Sequence, residues 1–228
     1  MNLPSQDDFI DIHTHGAVPS PGIFSVETLM AHEERKPEET IGLVFTAGIH
    51  PWYLNESNRK EQLEYIRGVA ANPCLIAIGE AGFDRLRGPS MDLQRSTFEE
   101  QVEIAEEVHK SLIIHCVRWW DELLLAHKKF KPHKPWLVHG FRGKKELGLQ
   151  LISSGMYISF WFDFIVRPEA SELVRALPAD RIFLETDGAD VDIRDIYRKV
   201  AVDLSITVAD LKKILFDNYY RLFIDSKS

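Results

Sequence analysis

The sequence predicts an α/β fold, a TIM-type (β/α)8 barrel, and two observations indicate it. Eight short runs rich in Val, Ile, Leu and Phe recur along the 228 residues. Most of them are separated by stretches with apolar residues at three- and four-residue spacing, which is typical of amphipathic helices. Strands that alternate with helices form parallel β-α units, and eight such units close a barrel.

The predicted strands are short, and polar residues end or follow them. The strands cover 9–13, 22–26, 42–48, 74–79, 111–116, 136–140, 156–160 and 182–186. The predicted helices cover 59–72, 91–110, 119–130, 144–155, 169–180, 196–204 and 207–223. Thr207 and Asp210 form a weak capping-box pattern at the start of the last helix. The stretch GAVPSPG at 16–22 has no helical pattern, so we expect the first β-α unit to be shortened or distorted.

Composition predicts a single globular domain over residues 1–228. Hydrophobic residues make up 45% of the chain, which is enough for a large core. No segment is of low complexity, and no linker is rich in Pro, Gly or Ser. Cys74 and Cys116 lie far apart in apolar, strand-like runs, which favours a reducing compartment over a disulfide framework. A monomer is favoured.

The N-terminal stretch and the net charge narrow the location and the partners. MNLPSQDDF lacks the basic and apolar regions of a signal peptide, and no run approaches the roughly 20 apolar residues that span a bilayer. We therefore expect a cytoplasmic protein with no membrane association. The net charge of −8 argues against a sequence-tolerant coat on duplex DNA. It does not exclude a nucleic-acid substrate, because a metal site supplies local positive charge.

Ionisable side chains gather where the predicted strands end, and in a barrel of this type those ends form the active face. His13 and His15 lie on the same side of the first strand, because side chains alternate along a strand. A single histidine or carboxylate there is more often a hydrogen-bonded core residue or a helix cap. A histidine or carboxylate stands at or just after the end of six of the eight predicted strands. That number favours one shared site. The residues are His13, His15, His50, Glu80, His115, His139 and Asp187.

Four of these histidines and the two carboxylates exceed the roughly four ligands that one zinc ion takes. They suit two divalent cations that share a carboxylate and activate a water molecule for hydrolysis. Phosphate-binding loops, a dinucleotide fingerprint and a serine nucleophile elbow are absent from the sequence. Metal-dependent hydrolysis is therefore the predicted reaction class.

The chain resembles the TatD-type metal-dependent hydrolases, or TatD-related deoxyribonucleases, which have an amidohydrolase-like barrel. The resemblance extends over nearly the whole chain, through FIDIHTH, AGIHPW, AIGEAGFD, LVHGFRG and IFLETD. It implies metal-dependent hydrolysis of phosphodiesters, typically DNA, with Asp187 and Glu80 as the catalytic residues. It implies one cation held by His13, His15, Glu80 and Asp187, and a second held by Glu80, His115 and His139.

The resemblance further implies that Glu80 would bridge the two cations and that Asp187 would accept a proton from the attacking water. The cations would be Zn²⁺, Mn²⁺ or Mg²⁺, and an imidazole-rich shell favours the first two. The sequence departs from the family pattern at Val117, where an Arg is usual, and Arg118 follows it. It also has GADVDIRDIYRKVA after Asp187, where a Pro and a long loop are common.

Basic and aromatic residues follow several strands and are expected to bind substrate. We assign His50, Arg85, Arg118 and Arg142 to substrate binding. Trp119, Phe141, Trp161 and Phe162 are interleaved with basic residues and are expected to stack on unpaired bases. The leading hypothesis is a deoxyribonuclease that acts on single strands or ends. The alternatives are a metal-dependent hydrolase of a small ester, amide or lactone, and a catalytically inactive nucleic-acid-binding relative.

Overall fold

A barrel of parallel strands forms the centre of the fold in the computed structural model, which describes residues 2–225. Within this range eight strands pair in the order in which they occur along the chain. The predicted TIM-type (β/α)8 barrel is therefore confirmed. The strands are β1 (Phe9–Thr14), β2 (Ile23–Met30), β3 (Leu43–Gly48), β4 (Leu75–Asp84), β5 (Ser111–Val117), β6 (Trp136–Phe141), β7 (Tyr157–Phe160) and β8 (Ile182–Leu184).

The barrel is nearly closed where β8 meets β1. The backbone N–H of Asp187 donates to the carbonyl of His13 at 3.1 Å. The side chain of Asp11 accepts from the backbone N–H of Thr186 at 3.0 Å and from its hydroxyl at 2.6 Å. A buried carboxylate thus joins the first strand to the segment that follows the last one.

The helices lie between the later strands, as predicted, and the first units are short. Residues 15–22 between β1 and β2 contain no helix, and a single 3-10 turn at Ala31–Glu33 separates β2 from β3. The predicted shortening of the first β-α unit is confirmed, and the second unit lacks an α-helix as well. The helices are α1 (Arg59–Val69), α2 (Met91–Glu107), α3 (Trp120–Phe130), α4 (Lys145–Ser153), α5 (Phe162–Ile165), α6 (Ala170–Ala176), α7 (Ile193–Leu204) and α8 (Val208–Tyr219).

Two side-chain contacts fix the last helices. The hydroxyl of Tyr197 in α7 accepts a hydrogen bond from the backbone N–H of Ile10 at 2.9 Å. The same hydroxyl donates to the backbone carbonyl of Ile10 at 3.1 Å. The predicted capping box at the start of α8 is present, with Thr207 and Asp210 each accepting from the other's backbone N–H. The first contact ties the outer helical layer to the strand that carries His13.

Apolar side chains fill the barrel beneath the polar end of the strands. One buried cluster joins residues of the strands, such as Ile113 and Leu137, with Tyr219 and Leu222 from the C-terminal segment. Ile113 and Leu137 each lie two residues before a histidine of the predicted site, and therefore on the same face of their strand. A second, larger cluster packs the outer face of the strands against the helices.

The strand that carries Glu80 extends beyond the predicted boundary. β4 runs to Asp84, so Glu80 lies inside the strand and not at its end. The pairing of β4 with β5 shifts register between Ile78 and Ala81, and the Gly79–Glu80 peptide bond is cis. Glycines at 79 and 82 resemble a strand end in the sequence, whereas in the structure they are part of the strand.

No helix within residues 2–225 is both long enough and apolar enough to cross a membrane. The predicted domain over residues 1–228 includes residues 1 and 226–228, which lie outside the described range. That a single domain covers the whole chain stays a prediction.

We predict that Gly82→Ala destabilises the protein by about 1–3 kcal/mol or more. Gly82 has φ +150°, and an added Cβ would overlap the carbonyl oxygen of His115 on β5. The matched control is Gly68→Ala in α1, where the added Cβ meets no atom within 4 Å and helix propensity favours alanine by about 0.5–1 kcal/mol. Urea unfolding of both variants measures the difference. Equal stability of the two variants would contradict the close approach of β4 and β5.

Candidate metal centre

Five histidine rings surround the carboxylate of Glu80 at the barrel mouth, the end formed by the carboxyl ends of the strands. The Glu80 side chain is only 4% exposed. The nearest ring nitrogens to its oxygens are those of His139 at 2.6 Å, His115 at 2.8 Å, His50 at 3.2 Å, His13 at 3.5 Å and His15 at 3.7 Å. Glu80 is thus the common neighbour of rings from β1, β5, β6 and the segment after β3.

Asp187 completes the set on the side of β1. One of its carboxylate oxygens lies 3.5 Å from His13 Nε2 and 3.6 Å from His15 Nε2. The Asp187 side chain is 26% exposed, and that of His15 is 33% exposed. The structure therefore brings together all six residues that the sequence suggests as ligands, and these two form the accessible edge of the site.

Three overlapping groups of donor atoms within residues 2–225 could hold a metal ion, each with its atoms within 4.8 Å of one another. The first contains His13, His15 and Asp187, and the second contains His13, Glu80 and His139. The third contains Glu80, His115 and also His50, which the sequence analysis assigns to substrate binding. Glu80 belongs to two of the groups, as a bridging carboxylate would.

The chemistry of these residues fits a divalent cation. The Nε2 atom of His13 is buried and has no hydrogen-bond partner, although it lies 3.5 Å from oxygens of both Glu80 and Asp187. Buried polar atoms are rarely left without a partner. Converging imidazole nitrogens and carboxylate oxygens are the donors that zinc and manganese take. A cation at this point would satisfy the unpaired nitrogen and both carboxylates.

The charges of the site balance one another. Burial acts to raise the pKa of Glu80, but attraction to His139 and the hydrogen bond with His115 hold it well below its usual range. Burial acts to lower the pKa of His13, but the nearby carboxylates of Asp187 and Glu80, each 3.5 Å away, raise it to about 9. Protons on the imidazoles therefore compensate the carboxylates when no cation does, and cation binding has to displace them.

His50 is held differently from the other rings. Its Nδ1 accepts a hydrogen bond from the backbone N–H of Trp52 at 3.0 Å, so the proton of the neutral ring is on Nε2. Burial keeps the pKa of His50 below its ordinary value, which favours that neutral form. Because Nε2 faces Glu80 at 3.2 Å, His50 presents an N–H to the centre and not a lone pair.

Asp84, which the sequence analysis does not single out, supports His115 from behind. Its Oδ2 lies 3.4 Å from His115 Nε2 and accepts from Trp52 Nε1 at 2.6 Å. Burial acts to raise the pKa of Asp84, but hydrogen bonds from His115 and Trp52 lower it to about 2. The sequence feature that could have identified Asp84 is its position two residues after Gly82, at the end of β4.

Glu27 is a second buried acid that sequence reasoning missed. It accepts hydrogen bonds from the backbone N–H groups of Gly16 and Ala17 at 3.0 and 2.7 Å and pairs with Arg35 at 3.0 Å. These bonds hold the loop that directly follows His15. Its position after the apolar run of the second strand was the signal that could have found it.

A cavity of about 580 Å³ opens beside the donor atoms. We call it the arginine–tryptophan cavity, because its wall includes Trp52, Arg118, Trp120, Arg142 and Trp161, and His115, His139 and Asp187 also line it. The guanidinium carbon of Arg142 lies 4.5 Å from the ring centroid of Trp161, which is a cation–π contact. The volume of the arginine–tryptophan cavity is in the range of small-molecule sites.

The structure does not bring every predicted substrate-binding residue to this cavity. Arg118 and Arg142 line the arginine–tryptophan cavity, and His50 lines a second cavity that adjoins it. Arg85 is exposed and lines neither of the two cavities. The prediction for Phe141 as a stacking residue is wrong, because Phe141 is fully buried in the outer core. Of the four predicted aromatic residues only Trp161 lines the cavity, where Trp52 and Trp120 join it.

Comparison with known proteins identifies the family. The family model described as TatD related DNase matches residues 23–224. The chain belongs to the TatD-related DNase family. The family and the enzyme class predicted from the motifs, a TatD-type metal-dependent hydrolase, are therefore confirmed.

TatD-type relatives cover most of the chain. It is 29% identical over 202 residues to the "Uncharacterized metal-dependent hydrolase YcfH" of Escherichia coli, across 81% of this chain and 75% of that one. It is 33% identical over 156 residues to the "3'-5' ssDNA/RNA exonuclease TatD" of Erwinia billingiae, across 66% of this chain and 59% of that one.

Solved structures of TatD proteins share the fold. The TatD homologue YjjV of Escherichia coli superposes with a TM-score of 0.78 at 20% identity, over 96% of this chain and 99% of that one. A TatD family hydrolase of Entamoeba histolytica superposes with a TM-score of 0.76 at 17% identity, over 98% and 99%.

We predict that zinc raises the stability of this TatD-family protein through Glu80. At a free zinc concentration 100 times the dissociation constant, the gain is about 2.7 kcal/mol. Glu80→Gln keeps the shape of the side chain but removes the charge, so most of this gain should disappear. Glu106→Gln is the matched control, since Glu106 also contacts an imidazole, His133, but far from the mouth, on α2. Thermal unfolding with and without zinc measures the effect. An equal gain in the wild type and in Glu80→Gln would contradict the assignment.

Proposed function

We propose that this protein hydrolyses phosphodiester bonds of DNA, at single strands or strand ends, with divalent cations at the barrel mouth. The observation that carries the proposal is the histidine–carboxylate cluster around Glu80, which opens directly into a cavity lined by arginine and tryptophan. The names of the relatives support it, since they include an exonuclease for single-stranded DNA and RNA and a deoxyribonuclease of Schizosaccharomyces pombe.

We assign the ligands to two cations, as the family resemblance implies. His13, His15 and Asp187 would hold one, His115 and His139 the other, and Glu80 would bridge them. Zn²⁺ or Mn²⁺ is favoured over Mg²⁺ because imidazole donors predominate. Divalent cations bound there would supply a water molecule of lowered pKa and would neutralise charge on the phosphate.

The chain's own residues perform the remaining tasks. Asp187 is at the accessible edge. Burial acts to raise its pKa, but the imidazoles of His13 and His15, 3.5 and 3.6 Å away, hold the pKa low and so keep the group ionised. We assign to it the role of accepting the proton of the attacking water. His50 presents its Nε2–H to the carboxylate of Glu80, 3.2 Å away, on the side of the adjoining cavity. Glu80 is buried and holds the ligand rings in position.

The cavity suits a flexible, unpaired strand more than a duplex. Arg118 and Arg142 provide positive charge for phosphate oxygens, and Trp52, Trp120 and Trp161 provide aromatic surface for bases. Bases in a duplex are stacked on each other and do not expose these faces. The local arginines also explain how a chain of net charge −8 can bind a polyanion.

We expect labelled single-stranded oligonucleotide to be cleaved only when zinc or manganese is added. Asp187→Asn should reduce kcat by about 10²- to 10⁴-fold, because the proton acceptor is lost. Glu80→Gln should do the same through the metal ligands. Glu106→Gln serves as the control and should retain full activity. Unchanged cleavage by Asp187→Asn would refute its role. Faster turnover of an ester, amide or lactone than of the oligonucleotide would favour acyl chemistry instead.

Arg142→Ala should raise the KM for the oligonucleotide by about 10-fold and leave kcat nearly unchanged. The estimate follows from losing one charge-assisted hydrogen bond of about 1.5 kcal/mol. The salt dependence of KM should also weaken by about one phosphate contact. Arg85→Ala is the matched control, because Arg85 is exposed outside the cavity. If Arg85→Ala raised KM as much as Arg142→Ala, the cavity would not be the binding site.

A further inference from the structure

Glu185 is a fully buried carboxylate next to the metal centre for which the proposed reaction has no use. It follows β8 directly and lies two residues before Asp187. Its Oε2 accepts a hydrogen bond from the hydroxyl of Ser159 on β7. Its Oε1 is buried and has no hydrogen-bond partner. Because an unpaired buried carboxylate oxygen is costly, the atom that it faces is informative.

That atom is the Nδ1 of His139, 3.5 Å from Glu185 Oε1. This nitrogen is also buried and has no hydrogen-bond partner. The opposite nitrogen of the ring, Nε2, lies 2.6 Å from Glu80 Oε1. The imidazole of His139 is therefore placed between two carboxylates, with Glu80 toward the centre and Glu185 on the far side.

We propose that Glu185 is a positioning residue, which accepts the Nδ1 proton of His139 and so leaves the Nε2 lone pair free for a divalent cation. The inference rests on the metal centre proposed above. In a neutral imidazole one nitrogen is protonated and the other has a free lone pair. The group behind a ligating histidine decides which of the two nitrogens is protonated. A carboxylate in that position also fixes the ring's orientation and makes the ligand more basic.

The other buried ligand ring shows why a carboxylate matters. His13 Nδ1 lies 3.1 Å from the hydroxyl of Thr28, which in turn lies 3.1 Å from the hydroxyl of Thr46. A hydroxyl can donate or accept, so it satisfies either form of the ring. A carboxylate oxygen accepts hydrogen bonds, so Glu185 Oε1, 3.5 Å from Nδ1, favours the form of His139 that has its proton on Nδ1 and its lone pair on Nε2.

A purely structural role for Glu185 makes a different prediction. If Glu185 served only as a partner for Ser159 in the core, its replacement would reduce stability and leave metal affinity unchanged. If Glu185 orients His139, the replacement changes metal affinity first. Three measurements distinguish the two roles: zinc affinity, the stability of the metal-free protein and the protonation of the ring nitrogens. None of these measurements requires nuclease activity.

The experiment compares the wild type with Glu185→Gln and Glu106→Gln. Gln keeps the shape of the side chain but removes the charge, and its amide group can donate to Nδ1 and reverse the tautomer. Glu106 lies 2.5 Å from Nδ1 of His133, whose side chain is 83% exposed, so the control removes a similar contact far from the centre. Zinc dissociation constants come from competition with a chelator, and stability comes from urea unfolding without metal.

We expect Glu185→Gln to bind zinc about 10- to 100-fold more weakly and Glu106→Gln to bind it like the wild type. The urea midpoint of metal-free Glu185→Gln should not fall. Unchanged zinc affinity in Glu185→Gln would overturn the proposal. In the zinc-loaded wild type, ¹⁵N-resolved NMR should show His139 protonated at Nδ1, which tests the proposal even if the variant does not fold. A deprotonated Nδ1 would overturn it, and wild-type protein that binds no zinc would overturn both this inference and the metal centre.

Discussion

The negative charge of Glu80 is the constraint on which the rest of the site depends. A buried carboxylate is tolerated only when opposite charge or hydrogen-bond donors surround it. Here the side chain is 4% exposed, and rings from β1, β5, β6 and the segment after β3 converge on it. A parallel barrel suits this task because every strand ends at the same mouth. Segments far apart in the sequence can therefore share one charge.

The strands contribute both stability and chemistry through their two-residue period. Ile113 and Leu137 fill the barrel interior, and His115 and His139, two residues later, reach the mouth on the same face. The apolar layer excludes water beneath the carboxylate, which strengthens every electrostatic interaction above it. Most of the donors are thus attached to paired strands of the barrel, which suits a preorganised site.

The sequence predicts the barrel, and it predicts that the six proposed ligands share one mouth, because both leave a local pattern, an apolar run that ends at an ionisable residue. It fails where the partner of a residue comes from a distant segment. Glu185 has its counterparts in Ser159 and His139, and nothing in its own neighbourhood indicates them. β4 was predicted too short because glycines inside it resemble a strand end, while their actual role is to allow close approach to β5.

Proximity alone does not decide which histidines are ligands. His50, Glu80 and His115 satisfy the distance requirement for a metal group, yet the backbone N–H of Trp52 occupies the Nδ1 lone pair of His50. The proton is then on the nitrogen that faces the centre, and a protonated nitrogen cannot bind a cation. His115 has the opposite arrangement, since the carboxylate of Asp84 lies behind its ring at 3.4 Å. The groups behind the rings, more than the rings themselves, therefore divide the cluster into the proposed ligands and a hydrogen-bond donor.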